Sequence, residues 1–196
     1  MKLNSARQVW HDCTYTQTRG GMSGLVERQL LGVAVQTTDR GVTADHAAHA
    51  TLCGWFQAAI DKLHPQLRVF GDWMYSATAD DDIREAAEEV VLALVLSRAP
   101  RMTAAKREKA AYVAAGALRR YRHMHQGGQS ANPDPMANPE TFRKWLADWH
   151  GVSLPSTNWE RDWGGFVTLC FEACEDIDKR ALSPIAALMY EMKEAA

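Results

Sequence analysis

The chain has 196 residues, 46% of them hydrophobic and 23% charged, with a formal net charge of only −2. These are the proportions of an ordinary folded protein that can bury a sizeable core. They exclude a disordered chain and a nucleic-acid coat protein held by bulk positive charge.

No apolar run reaches the length of a membrane-spanning helix. The polar start MKLNSARQVWHDC carries no apolar export segment, so a cytoplasmic protein with reduced cysteines and no membrane partner is expected. Hydrophobic periodicity predicts an all-α fold, a compact multi-helix bundle. Residues 1–42 read as a polar N-terminal segment with Trp10 and Tyr15, closed by Gly20-Gly21, and a short helix over Ser23–Val35. Residues 43–128 read as a helical core. Thr43 caps its first helix, which runs to about Leu63 with Leu52, Trp55, Phe56, Ala59, Ile60 and Leu63 inward; Pro65 closes it. Leu67–Ser76 is an aromatic-rich connector. Asp80, Asp81 and Asp82 then open a helix at the end where carboxylates suit the dipole. Its unbroken apolar run Val90–Leu96 predicts burial on several sides. Thr103 caps a basic helix over 103–126, stopped by Gly127-Gly128, and 129–137 is a Pro/Asn linker. Residues 138–196 complete the chain with a helix-turn-helix-like unit and two closing helices, Thr157–Leu182 and Ser183–Ala195.

The stretch ANPETFRKWLADWHGVSLPSTNWERDW carries the functional expectation. Asn138 is a good N-cap, Pro139 suits the first helical position, and Phe142, Trp145, Leu146 and Trp149 share one face. Ala147 permits a close crossing, Gly151 a tight turn, and Val152 packs inward. Ser153 or Ser156 then caps a second helix with Trp159 and Trp163 on its inner side. As a recognition helix it would expose Ser156, Thr157, Asn158, Glu160 and Arg161. Asn158 suits adenine, Glu160 cytosine and Arg161 guanine, so these three are the expected base contacts. Arg119, Arg120 and Arg122 on the basic helix, with Arg143 and Lys144, are the expected phosphate contacts. Asp81, Asp82, Glu85 and Glu89 form an acidic surface for a protein partner. The same residues admit a second reading, a helical adaptor or inhibitor that binds only protein, with the tryptophans as core and the basic helix as its interface.

Catalysis and cofactors find little footing. The sequence has no glycine-rich phosphate loop, nucleophile elbow or HExxH helix, so no enzyme is expected. His46, His49 and Cys53 share a helix face and, with Cys13 or His11, have zinc-ligand chemistry. They lack the paired knuckle of the usual zinc signatures, and no metal or cofactor is expected. Cys170 and Cys174 sit in an apolar stripe with Phe166, Leu169 and Ile177 and read as small hydrophobes.

The order of these segments is similar to that of the late-gene transcription antiterminators of lambdoid phages. Gly71-Asp72-Trp73-Met74-Tyr75 precedes a helical middle region. A basic helix ending Ala117-Leu118-Arg119-Arg120-Tyr121-Arg122 then leads into Phe142–Trp163. The resemblance covers roughly Leu67–Leu182, with Ala147, Gly151, Val152 and Ser153 matching motif positions. It implies a phage or prophage protein that binds double-stranded DNA at a late promoter and joins RNA polymerase. The turn here is longer than in the family pattern, and the N-terminal third has no counterpart in it.

Overall fold

A computed structural model of the chain describes residues 5–20, 40–125 and 134–194, with side chains from 5–14, 47–125 and 134–194. The helix expected at Ser23–Val35, the Gly127-Gly128 stop, most of the 129–137 linker and the His46 side chain lie outside these residues; the expected Thr43 cap does not form, because the helix is already under way at Arg40 and Thr43 lies within it. The described fold is all-α: helices and connecting turns with no strand.

The helices are α1 (Ala6–Gly20), α2 (Arg40–Asp61), α3 (Pro65–Tyr75), α4 (Asp81–Arg98), α5 (Ala104–His125), α6 (Pro139–His150) and α7 (Gly165–Glu194). They divide into two compact units, one made of 1–83 and 179–196, the other of 84–178. The basic helix and the helix-turn-helix-like stretch therefore fall in a single unit. The tail of α7 belongs to the other.

In the first unit α1 packs on α2 and α3. Its polar sequence gave no helix expectation, yet Ser5 caps it through the Gln8 amide at 3.2 Å, and Val9, Trp10 and Cys13 form its buried edge. Trp10 is fully buried and donates its indole N–H to Asp72 Oδ1 at 3.0 Å. A Cβ at position 71 would overlap the Trp10 ring, so Gly71 is the residue that lets α3 approach α1. Leu67–Ser76 is thus no loose connector. Pro65 opens α3 behind the His64 cap, and Phe70, Trp73, Met74 and Tyr75 are buried. On α2 the inward face is Cys53, Phe56 and Ile60, while Trp55 is 54% exposed; at helical spacing Trp55 falls off the stripe that the other three define.

In the second unit the centre is α5. Its Ala-rich stretch buries Ala110, Val113, Ala114, Ala115, Gly116, Ala117 and Leu118. The apolar run of α4 is not buried all round. Only Ala87, Val91 and Val95 are fully buried, one stripe at four-residue spacing, and Ala93 faces solvent. α6 crosses α5 at Gly116, where a Cβ would stand 2.9 Å from Phe142 Cζ and 3.1 Å from Trp145. The two expected closing helices are one: α7 runs through Pro184 without a break. A proline inside a helix costs one backbone hydrogen bond, and the buried Ala181, Ile185 and Met189 on the same face offset that loss.

Candidate nucleic-acid interface

α6 forms as its caps dictate. The Asn138 side chain accepts from the Thr141 amide at 2.9 Å, and Thr141 Oγ1 accepts from the Asn138 amide at 3.3 Å, a reciprocal capping box. Gly151 ends the helix at φ 65°, in the left-handed region that favours glycine, and its N–H bonds back to Ala147. This much follows the motif.

The second half departs from it. No helix starts at Ser156. Residues 151–158 are loop and turn, and Asn158 takes φ 63°, a left-handed conformation through which a right-handed helix cannot run. Helix begins at Trp159 and opens as a π turn, Glu160–Gly164, that continues directly into α7. The expected short recognition helix Ser156–Trp163 is therefore a loop feeding the first turn of a long helix. Of the three expected base contacts, Asn158 lies on the loop, and Glu160 and Arg161 lie in the π turn.

Exposure follows the expected division nonetheless. Ser156, Thr157, Asn158, Glu160 and Arg161 are exposed, whereas Trp159 and Trp163 are buried. Trp159 packs against Phe142 of α6 with ring centroids 5.9 Å apart, and the Arg143 guanidinium lies 5.9 Å over the same indole. Arg143 is thereby held beside the loop that carries Asn158. Lys106, at the start of α5, stands 5.2 Å over Trp163. This contact accounts for one cation in a first turn where the helix dipole disfavours it. Exposed Arg161 pairs with its neighbour Asp162 at 2.9 Å, and each charge favours the ionised form of the other.

The cations of the basic helix fare differently from one another. Arg119 is exposed and lies 5.7 and 5.3 Å over Trp145 and Trp149, whose rings stack at 6.5 Å and 23°. Arg120 is engaged within the protein: its Nε meets Asp134 at 2.8 Å, Nη2 reaches the Ala137 carbonyl at 3.2 Å, and its guanidinium covers Phe171. Arg122 is half-buried, and burial together with Arg119 lowers its affinity for the proton. Lys144 is exposed on α6. The structure thus separates Arg119, Arg143 and Lys144, which face outward or flank the loop, from Arg120, which ties 134–137 to α5. On α4 the four acidic residues Asp81, Asp82, Glu85 and Glu89 are all exposed.

Beside the indole pair, Tyr112 and His150 meet at 5.2 Å and His150 abuts Trp145 edge-on at 5.0 Å. His150 Nε2 is shut from solvent with no hydrogen-bond partner among the described residues. Burial pushes this imidazole below its ordinary value, and Arg84 and Arg119 push it further. Between that lowered value and the 6.5 of the unfolded chain, the unfolded state binds more protons, so stability rises with pH across the window and is lost as pH falls through it. His150→Asn should therefore flatten the dependence of Tm on pH from 6.5 downward. An unchanged slope would show that His150 is not the group responsible.

Of the residues read as zinc candidates, Cys13, His49 and Cys53 come together where α1 packs on α2 and the His46 side chain lies outside the described residues; among the described residues no group of three His, Cys, Asp or Glu is placed to hold a metal ion. Sequence reasoning missed the Trp145–Trp149–Arg119 stack. The i, i+4 tryptophans were legible as one face, but which side of α6 met α5 depended on Gly116. No protein-family model matches the chain, and no curated protein or solved structure matches it. No described helix is long and apolar enough to cross a membrane.

Proposed function

We propose that this protein binds double-stranded DNA through α6 and the loop and π turn that follow it, and that it regulates transcription. One observation carries the reading. In segment 156–161 the polar side chains face solvent while Trp159 is buried, and Arg143 rests on that indole. A loop entering a groove can present Asn158 and Arg161 to base edges, and Arg119, Arg143 and Lys144 supply phosphate contacts that carry no sequence information. Within this reading, the resemblance to late-gene antiterminators suggests the narrower role of a promoter-bound factor that touches RNA polymerase through Asp81, Asp82, Glu85 and Glu89.

The test is binding to mixed genomic DNA fragments over a salt series. Affinity should fall steeply with salt, and Arg119→Ala with Arg143→Ala should weaken it on all sequences and reduce the slope by about 2. Arg161→Ala should relax sequence preference and leave most nonspecific affinity. Failure to retain DNA even at about 50 mM salt overturns the proposal.

The 67% exposure of Trp149 favours a second reading, a protein-binding adaptor. Exposed Trp, Tyr and Arg are the residues that dominate protein interfaces. In that case Trp149→Ala abolishes capture of a protein partner, and no variant changes DNA retention.

A further inference from the structure

The packing of α1 on α2 brings together two thiols and an imidazole that the proposed function does not use. Cys13 of α1 and Cys53 of α2 are both reduced and buried, and their thiols are hydrogen-bonded to each other. His49 Nδ1 stands 3.6 Å from Cys53 Sγ, one helical turn back along α2. His49 is half-exposed, and Gly54, the residue after Cys53, is exposed, with nothing among the described residues within 4 Å of where its Cβ would stand. Cys53 is therefore reached from solvent past His49 and Gly54, whereas Cys13 lies behind it at 1% exposure. The two roles of a redox-active pair, an approachable thiol beside a base and a second thiol in reach of it, are filled by different residues.

We propose that Cys13 and Cys53 form a reversible intramolecular disulfide by exchange with a small-molecule disulfide of the glutathione class, with Cys53 attacking first. His49 accepts the Cys53 thiol proton, and the thiolate attacks one sulfur of the oxidant. The oxidant's S–S bond breaks, a mixed disulfide forms at Cys53, and the departing thiolate takes the proton from His49. Cys13 then attacks Cys53 Sγ, the mixed disulfide's S–S bond breaks, and the departing small thiolate takes up the Cys13 proton to leave as a thiol. Two protein thiols are oxidised and one disulfide is reduced to two thiols, so atoms and electrons balance. The order follows from access: Cys53 keeps 7% exposure beside His49, whereas Cys13, at 1% exposure, is held protonated by burial, Cys53 and Asp12 and so is the poorer first nucleophile. The product staples α1 to α2 across 39 intervening positions of sequence, a loop long enough for a crosslink to restrict the unfolded chain.

Cys170 and Cys174 provide an internal control. They lie one turn apart on α7, both are fully buried, and burial pushes Cys170 up to about 12 and Cys174 well above its ordinary value. They should stay reduced. The experiment treats the full-length chain with glutathione disulfide, traps free thiols under denaturing conditions and maps the peptides by mass. Two of the four cysteines should be lost, in a Cys13–Cys53 crosslinked peptide that dithiothreitol releases, with an upward shift in Tm. His49→Ala should slow the loss by about a hundredfold, the low end of the typical scale for losing a positioned base. Cys13→Ser should trap the mixed disulfide at Cys53. Four thiols still free, a mixed disulfide that never closes in the natural sequence, or crosslinks only between chains would each overturn the proposal. The natural sequence alone decides these outcomes, so a variant that fails to fold does not obscure them.

Discussion

Replacement of Trp10 by alanine is expected to lower the unfolding free energy by about 3–5 kcal/mol, the usual cost of emptying a fully buried aromatic site. Trp10 has no exposed surface, lies tilted at 54° against Tyr75 with centroids 6.1 Å apart, and occupies the space that Gly71 leaves open. It also supplies the N–H that Asp72 accepts. Burial already pushes the Asp72 carboxyl above its ordinary value, with Trp10 and Arg68 pulling the other way. Losing the indole should raise it further and leave Arg68, at 3.6 Å, as the remaining charge partner. Trp10→Phe separates the two effects: a ring still fills much of the site, and the loss should shrink to the roughly 1–3 kcal/mol of an orphaned acceptor. Urea unfolding of the three proteins at neutral pH measures both. A loss below about 1 kcal/mol for alanine would mean that the α1–α3 contact is not built around this residue.

Gly116→Val should be the most damaging small change in the second unit. Helix propensity alone would favour replacing a mid-helix glycine by about 1 kcal/mol for alanine. Here the new Cβ would stand 2.9 Å from Phe142 Cζ and 3.1 Å from Trp145, inside normal contact distance, and Phe142 is itself buried with nowhere to go. Overpacking of this kind costs about 1–3 kcal/mol. It should also reach the surface: Trp145 is the inner member of the indole pair under Arg119, so displacing it disturbs the cation proposed to meet a DNA phosphate. The expected result is a lower urea midpoint together with weakened DNA retention. Gly116→Val with unchanged stability would show that α6 yields at this crossing.

The residues that make this crossing explain what could be read from the sequence and what could not. The caps at Asn138 and Thr103 were legible, because each acts through an amide three positions away, at 2.9 and 3.3 Å, whereas those expected at Thr43 and at Ser153 or Ser156 do not form. The all-α class was legible for the same local reason, since helical hydrogen bonds close within four residues. The hidden features depend on distant partners. α1 carries too short an apolar edge to announce itself, and Trp10 becomes core only through α3, some 60 residues away. Trp55 reads as core by type but lies off the stripe that meets α1. The end of the turn after α6 depended on one dihedral, at Asn158, that the residue tolerates but does not require. Arg120 looked like its neighbour Arg119 until Asp134, across a segment read as linker, took hold of it.

The π turn has a bearing on how the chain tolerates length changes. A π turn holds one residue more than an α turn, so Glu160–Gly164 behaves as an insertion that the helix has absorbed. Trp159, the one helical residue before it, is rotated by about 100° relative to a plain α-helix register. That rotation puts Trp159 on Phe142 while Phe166, Cys170 and Cys174 keep their inward face. Deleting a single residue here would leave a more regular helix and a worse protein. The two tryptophans would swing off the core, and the loop bearing Asn158 would lose its anchor. At this point of the chain the spacing between residues matters as much as their identities, and a shortened variant is not a neutral one.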